Sequence, residues 1–331
     1  MKFFRIKTMK IKDKKVLVTG AAGFVGSNLT NKLLELGAEV TGIDNFFNGK
    51  LENLEESLEN KNFHFKKGDI RDLNFLIDIL KDIEIVYHEA AFTSVPQSIL
   101  MPDSCNDVNV NGTLNVLNAS RQRDIEKIIF ASSSSVYGDL PALPKKEDMK
   151  RLPISPYGVA KLACEAYMQS YYEVYGLNTV SLRYFNVYGP RQKDSPYSGV
   201  IAIWLGRLIK NKDLIIFGDG EQSRDFTYIN DVVQANLLAM ENNASGEIIN
   251  IGAGSPIKLT DLAKLALKIT NKKELKIIYA DPRPGDILHS FADISKAKKL
   301  IKFQPKFTQE KGLRDYFTWF SEKYEVDLNL N

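Results

Sequence analysis

Apolar residues along this chain fall into two alternating textures. Short continuous apolar runs at Lys15–Thr19, Ala38–Ile43, Asn62–Lys66, Ile83–His88, Lys127–Ala131 and Thr179–Arg183 read as strands. The gaps between them carry helical spacing, as in Phe24–Leu36. Strand and helix in strict alternation predict an α/β fold built on a doubly wound parallel sheet. Past Tyr184 the pattern loosens, with insertions rich in Gly, Asp and Arg, and Glu247–Ile251 (EIINI) reads as a late return to the sheet. Leu140–Pro153, rich in Pro and charge, reads as a surface loop. No internal repeat and no low-complexity linker interrupts the chain.

The first strand runs directly into TGAAGFVGS, Thr19–Ser27. Its glycines, Gly20, Gly23 and Gly26, follow G-x-x-G-x-x-G spacing rather than G-x-G-x-x-G. Glycine allows a positive φ in the turn, and the missing Cβ lets backbone approach a pyrophosphate. The helix that follows offers free N–H groups and a positive dipole end to that anion. The second strand ends in Asp44, placed to accept hydrogen bonds from an adenosine ribose. A carboxylate there repels a 2′-phosphate, which favours NAD over NADP.

A second stretch, SPYGVAK at Ser155–Lys161, carries reactive chemistry. Tyr157 and Lys161 stand at i and i+4, on one face of a helix that Pro156 opens. Free tyrosine has a pKa of about 10, and a lysine ammonium nearby favours the phenolate. Ser132–Ser135 close the strand Lys127–Ala131, where open α/β sheets bind ligands. These serines either hydrogen-bond a substrate oxygen or cap local structure.

With these residues in order, the chain resembles the extended short-chain dehydrogenase/reductases, and among them the UDP-sugar 4-epimerases. The resemblance runs from about Lys15 to Phe320. Further landmarks are GIDNFFNG (Gly42–Gly49), GDIRD (Gly68–Asp72), HEAAFTSVPQSI (His88–Ile99) and SSSSVYGD (Ser132–Asp139). RYFNVYGPRQ (Arg183–Gln192), FGDGEQSRDFTYINDV (Phe217–Val232) and DPRPGD (Asp281–Asp286) follow. The resemblance implies a Rossmann sheet with a smaller, interleaved α/β substrate domain. NAD would be held by 10–183 plus about 225–252, and a UDP-sugar by 184–224 plus 253–331.

It also implies roles. Tyr157 takes the proton of the sugar 4-OH, Lys161 supports it, and Ser133 with Ser134 hydrogen-bonds O4. Hydride passes from C4 to tightly bound NAD and returns to the opposite face of a 4-keto sugar. Gly20, Gly23, Phe24, Val25, Gly26, Asp44, Asn45, Asn48, Gly49, Asp69, Ile70, Ala90, Ala91 and Tyr184 face the cofactor, together with Tyr157 and Lys161. Ser94, Asn186, Val200, Phe217, Arg224, Arg283, Asp286 and Ser290 face the substrate, with Ser133 and Tyr157. Arginine suits the diphosphate because its planar fork binds phosphate oxygens in pairs.

Departures from related patterns narrow the reading. Sugar-nucleotide 4,6-dehydratases carry Asp-Glu where this chain has Ser134 and Ser135, and UDP-glucuronate decarboxylases carry Glu at the position of Ser135. UDP-glucuronate 4-epimerases share SSSSVYG but read TVYGP-x-GRPDM where this chain reads NVYGPRQ. Ser290 in DILHSFAD falls where strict glucose/galactose epimerases carry Tyr, and the smaller residue opens room for an N-acetyl group. SVPQS at Ser94–Ser98 points the same way. The expectation is interconversion of UDP-GlcNAc and UDP-GalNAc, and of UDP-Glc and UDP-Gal. UDP-glucuronate epimerisation and a non-catalytic NAD/sugar-nucleotide binder are the alternatives. An intact Ser133, Tyr157 and Lys161 set argues against the binder.

Composition removes other classes. Lys+Arg number 44 against Asp+Glu 41 in 331 residues, so no nucleic-acid partner is expected. No apolar run approaches the roughly 18 residues of a membrane span, so no membrane partner is expected. Cys105 and Cys164 are too few for a disulfide framework, which points to the cytoplasm. His64, His88 and His289 are scattered, so no metal site is expected, and His88 reads as structural. Met1–Lys10 is basic and lacks the core of a signal peptide, and Met9 is a candidate start. Long helices around Pro102–Arg121 and Pro156–Tyr175 imply, by the same resemblance, a homodimer through a four-helix bundle. Tyr167, Tyr171, Tyr172 and Tyr175 belong either to that interface or to the core.

Overall fold

The computed structural model describes residues 10–192, 199–282, 288–328 and 330. Seven strands make one sheet: β1 (Lys15–Thr19), β2 (Glu39–Asp44), β3 (Phe63–Lys67), β4 (Ile85–His88), β5 (Lys127–Ser133), β6 (Thr179–Tyr184) and β7 (Glu247–Ile251). Every pairing is parallel, in the spatial order β3-β2-β1-β4-β5-β6-β7. The period of two sends Val16 and Val18 into one core and Leu17 into the other, so the sheet is buried on both faces. Order reverses at β1, which pairs with β2 on one side and β4 on the other. A crevice opens there at the carboxyl ends of the strands, where such sheets take their ligands.

Five helices position the crevice: α1 (Phe24–Glu35), α2 (Gly112–Gln122), α3 (Pro156–Tyr175), α4 (Ile229–Glu241) and α5 (Gln309–Tyr324). Start and stop signals of α3 are explicit. Ser155 Oγ accepts from the Gly158 N–H at 3.2 Å, Pro156 occupies the first turn, and left-handed Gly176 ends the helix. Beyond the sheet, short strands form small ladders: Leu214–Phe217 with Ile277–Ala280, and Ser223–Arg224 between Ile257–Lys258 and His289–Ser290. These ladders and the helices Val200–Ile209 and Leu259–Ile269 form the smaller α/β layer.

Three expectations are corrected in detail. Strand ends move by one or two residues; β5, for example, continues to Ser133. The helix expected over 102–121 is interrupted by a π-turn at Asp107–Asn111, between Pro102–Asn106 and α2. Leu140–Pro153 is not wholly a surface loop. Lys145 is buried, its N–H donates to the Phe291 carbonyl at 2.8 Å, and its own carbonyl accepts from the Asp293 N–H at 2.9 Å. Backbone pairing with the later chain draws the loop inward.

Candidate active site

The glycine turn is built by close approach. Gly20 adopts φ +69°, and a Cβ there would lie 2.8 Å from Ala90 Cα at the end of β4. A Cβ on Gly26 would overlap the Gly20 carbonyl oxygen, so α1 leaves β1 tightly only with glycine. Gly23 occupies the N-cap of α1, and no side chain caps that end. The first-turn N–H groups therefore face the crevice uncovered. This cradle fits the pyrophosphate of a dinucleotide.

The crevice is a cleft of about 1200 Å³, and every residue expected to face the cofactor lines it. Asp44 is buried. One carboxylate oxygen accepts from the Ala22 N–H at 3.0 Å, the other from the Phe46 N–H at 2.7 Å. Burial raises its pKa against those two bonds. Half of its acceptor capacity thus already fixes the turn, and the rest is left for a ligand. Asn45 donates to Asp69 at 2.8 Å, and Arg71 bridges Asp69 and Asp107, holding Asp69 well below the usual carboxylate range. His88 is buried between the hydroxyls of Thr19 and Thr113, at 2.8 and 3.0 Å, and burial pushes it down to about 3. It stays neutral and holds β4 to β1, a structural role.

Ser133, Ser134, Tyr157 and Lys161 line the same cleft. Ser133 takes the capping role: it caps the turn Ser134–Tyr137, accepting from the Ser135 N–H at 3.2 Å, and it lines the cleft with Tyr157. Ser132 points away, donating to Glu165 at 2.5 Å. Lys161 Nζ lies 5.9 Å from the Tyr157 ring centre and donates to the Ala131 carbonyl at 2.6 Å. The expected depression of Tyr157 is corrected. Burial pushes the phenol up to about 12, and Ser133 opposes it. Burial also lowers Lys161, weakening the charge that favours a phenolate.

A second cavity of about 680 Å³ continues from the first, sharing Asn186, Val187, Gln192, Gly199 and Arg224. Val200 and Phe217 line this one, not the main cleft. Ser94, Asn186, Arg224 and Ser290 line the main cleft, although Ser94 also caps the helix Val95–Leu100. Arg283 and Asp286 lie outside the described residues. Residues not foreseen also converge here. Trp319, Phe320 and Tyr324 of α5 wall the cleft, and Glu89 lines it, accepting from the Tyr184 hydroxyl at 3.0 Å. Gln222 lines the second cavity with a buried Oε1 that has no hydrogen-bond partner among the described residues.

A Rossmann cleft with a glycine cradle, a Ser/Tyr/Lys set and an adjoining apolar pocket defines a nucleotide-dependent oxidoreductase-type site. Residues 16–252 match the model of the NAD dependent epimerase/dehydratase family. The chain is 41% identical to a UDP-N-acetylglucosamine 4-epimerase from Methanobrevibacter ruminantium, solved in complex with UDP-N-acetylmuramic acid. That likeness has a TM-score of 0.90 and covers 94% of this chain and 99% of that one. It is 39% identical to a Thermotoga maritima UDP-glucose 4-epimerase solved with UDP-glucose, at a TM-score of 0.89, covering 94% and 99%. It is 36% identical to a Mycolicibacterium smegmatis UDP-glucose 4-epimerase, over 93% of this chain and 98% of that protein. The chain belongs to the NAD dependent epimerase/dehydratase family, as an extended short-chain dehydrogenase/reductase of the UDP-sugar 4-epimerase type, and its cofactor is NAD.

Proposed function

We propose that the protein interconverts the C4 epimers of UDP-GlcNAc and UDP-GalNAc, and of UDP-Glc and UDP-Gal, through a 4-keto sugar. The observation that carries this reading is the convergence of Tyr157, Ser133 and the small Ser290 on one cleft, with Arg224 at its junction with the apolar pocket. Residues 10–183 plus about 225–252 hold NAD in this reading, and 184–224 plus 253–331 hold the UDP-sugar.

NAD, when bound, supplies the hydride acceptor and donor. Tyr157 phenolate accepts the proton of the 4-OH and returns it to the same oxygen after the sugar has turned over. Ser133 and Ser134 orient O4. Lys161 supplies the positive charge that the buried phenolate needs. Arg224 and Asn186 hold the diphosphate, and Arg283 and Asp286 complete that half of the site. Phe217 and Val200 flank the base. Uracil offers one N–H donor, and the unpaired Gln222 Oε1 is an acceptor awaiting one. Firm grip on UDP and loose grip on the hexose let one base serve both faces.

Purified protein incubated without added cofactor is expected to convert UDP-GlcNAc to UDP-GalNAc and UDP-Glc to UDP-Gal. Ser290→Tyr is expected to depress the N-acetyl reaction at least tenfold while sparing UDP-Glc, a difference of about 1.4 kcal/mol between substrates. Equal loss on both pairs refutes the gate. Product from UDP-glucuronate alone refutes the hexose assignment.

The same reading includes a homodimer in the cytoplasm. The four tyrosines of α3 beyond Tyr157 divide: Tyr171 is buried and donates to Asn118 at 2.7 Å, and Tyr172 packs on Gly246. Tyr167, Val174 and Tyr175 are exposed, with Val174 67% accessible. A second copy of α2 and α3 would cover them. Sedimentation at the dimer mass is expected, and a monomer at every concentration refutes the pairing.

A further inference from the structure

Three carboxylates stand on one short strip after β2: Glu52 on the turn Leu51–Leu54, and Glu55 and Glu56 on the helix Glu55–Leu58. Each meets a partner from far along the chain. The Tyr324 hydroxyl donates to Glu52 at 2.9 Å. Lys323 pairs with Glu55 at 2.6 Å, and Arg191 pairs with Glu56 at 2.8 Å. Glu56 also accepts from Asn31 of α1. Lys323 and Tyr324 belong to the last turn of α5, and Arg191 to the segment after β6. That segment is moored on α1 as well: Arg191 donates to the Ser27 carbonyl at 3.1 Å, and Asn28 donates to the Pro190 carbonyl at 3.0 Å.

The inner end of the strip is tied to the glycine turn. The Lys50 N–H and Asn53 Nδ2 donate to the same Ala22 carbonyl, at 3.0 and 2.8 Å. A Cβ on Gly49 would lie 2.8 Å from the Asp44 carboxylate, so the chain passes close over that acid. Asn48, Gly49, Lys50 and Asn53 line the main cleft, and so do Trp319, Phe320 and Tyr324. The Phe320 and Tyr324 rings stand 4.5 Å apart, and Tyr324 meets Trp319 edge-on at 6.1 Å. The bond from Tyr324 to Glu52 therefore braces both neighbouring rings as it joins α5 to the strip.

We propose that α5 is part of the cofactor site: its aromatic wall and the strip 48–56 form a clasp over bound NAD, held shut by the contacts at Glu52, Glu55 and Glu56, and NAD leaves when the clasp opens. The cofactor side of the cleft thus extends beyond residues 10–183 and 225–252. The Glu55 and Glu56 side chains are 60% and 71% exposed. Exposed pairs are individually weak and are screened by salt. They open locally without unfolding the sheet behind them. The clasp therefore sets a rate of release, whichever sugar is turned over.

The test is dissociation of labelled NAD from the holoenzyme during a chase with excess unlabelled NAD, at about 50 and about 500 mM KCl. Lys323→Glu sets two carboxylates against each other. It is expected to speed release about fivefold at low salt, the upper range for one exposed pair, and less at high salt. Lys323→Glu/Glu55→Lys restores the pair in reverse and is expected to bring release back to within about twofold of wild type. An unchanged rate in Lys323→Glu overturns the proposal. A gain of equal size at both salt concentrations, or one that persists in the reversed pair, shows a general disturbance of α5 and overturns it as well. Should Lys323→Glu fail to fold, Glu55→Gln breaks the same pair from the other side. It is expected to speed release about threefold, and an unchanged rate overturns the proposal there too.

Discussion

Replacing Tyr157 by Phe is expected to lower kcat by about 10³-fold, within the usual range for removal of a general base. The fall should appear in kcat and kcat/KM alike, because the hydroxyl acts on the reacting oxygen and not on UDP. Copurified NAD and UDP affinity are expected to stay near wild type. The glycine cradle is formed by Gly20, Gly23 and Gly26, and the apolar pocket around Phe217 lies in the adjoining cavity. The variant should also fold normally, since phenylalanine fills the same half-buried position and only the phenolic oxygen is lost. A kcat within threefold of wild type would refute the assignment. In the intact protein kcat should rise with pH on the acid side. Burial holds the phenol toward 12, so each increment of pH enlarges the reactive phenolate fraction until Lys161 loses its charge.

The parts of this site that lie within one strand–turn–helix unit were legible in the sequence. The glycine turn follows β1, Asp44 ends β2, Ser132 and Ser133 close β5, and Tyr157 and Lys161 stand one turn apart on α3, while the parallel sheet brings the strand ends together. What local spacing does not encode is the sign of a pKa shift. Proximity of Lys161 suggested a lowered phenol, but desolvation acts on both groups and outweighs it. Glu89 carries no signal of its own in HEAA, and the contacts that fix it come from Tyr184 and Asn236, which reach it from β6 and α4. The aromatic run around Trp319 and Phe320 likewise reads as an ordinary helix face. Only the return of α5 to the segment after β2, through Tyr324 to Glu52 and Lys323 to Glu55, turns part of it into a cleft wall. Small strands such as His289–Ser290 are too short for a hydrophobic period, so the register that brings Ser290 beside Arg224 came from tertiary pairing.

The polar assembly beneath the catalytic set gives the second large expected effect. Arg183 and Glu165 are fully buried, at 0% and 1% side-chain exposure, and paired through two short bonds. Arg183 also donates to the Tyr137 hydroxyl at 2.7 Å, which donates to Asn250 at 2.7 Å, and Glu165 accepts from Ser132. One network thus joins β5, β6, β7 and α3 directly below Ser133 and Lys161. Arg183→Leu would leave the Glu165 carboxylate buried with Ser132 as its remaining side-chain donor. The expected cost is about 3–5 kcal/mol, because an unpaired buried charge keeps its desolvation penalty and loses its attraction. Glu165→Leu should cost a similar amount through the stranded guanidinium. Removing both charges, in the Arg183→Leu/Glu165→Leu protein, should recover much of the loss, since apolar residues of similar volume replace a buried pair at little net cost. Thermal unfolding of the four proteins measures this cycle directly. If the double variant is less stable than either single, the pair contributes its full Coulombic attraction to the fold. If the double variant regains stability but not turnover, the network persists because it holds Ser133 and Lys161 in register, a benefit that appears in kcat rather than in the melting temperature.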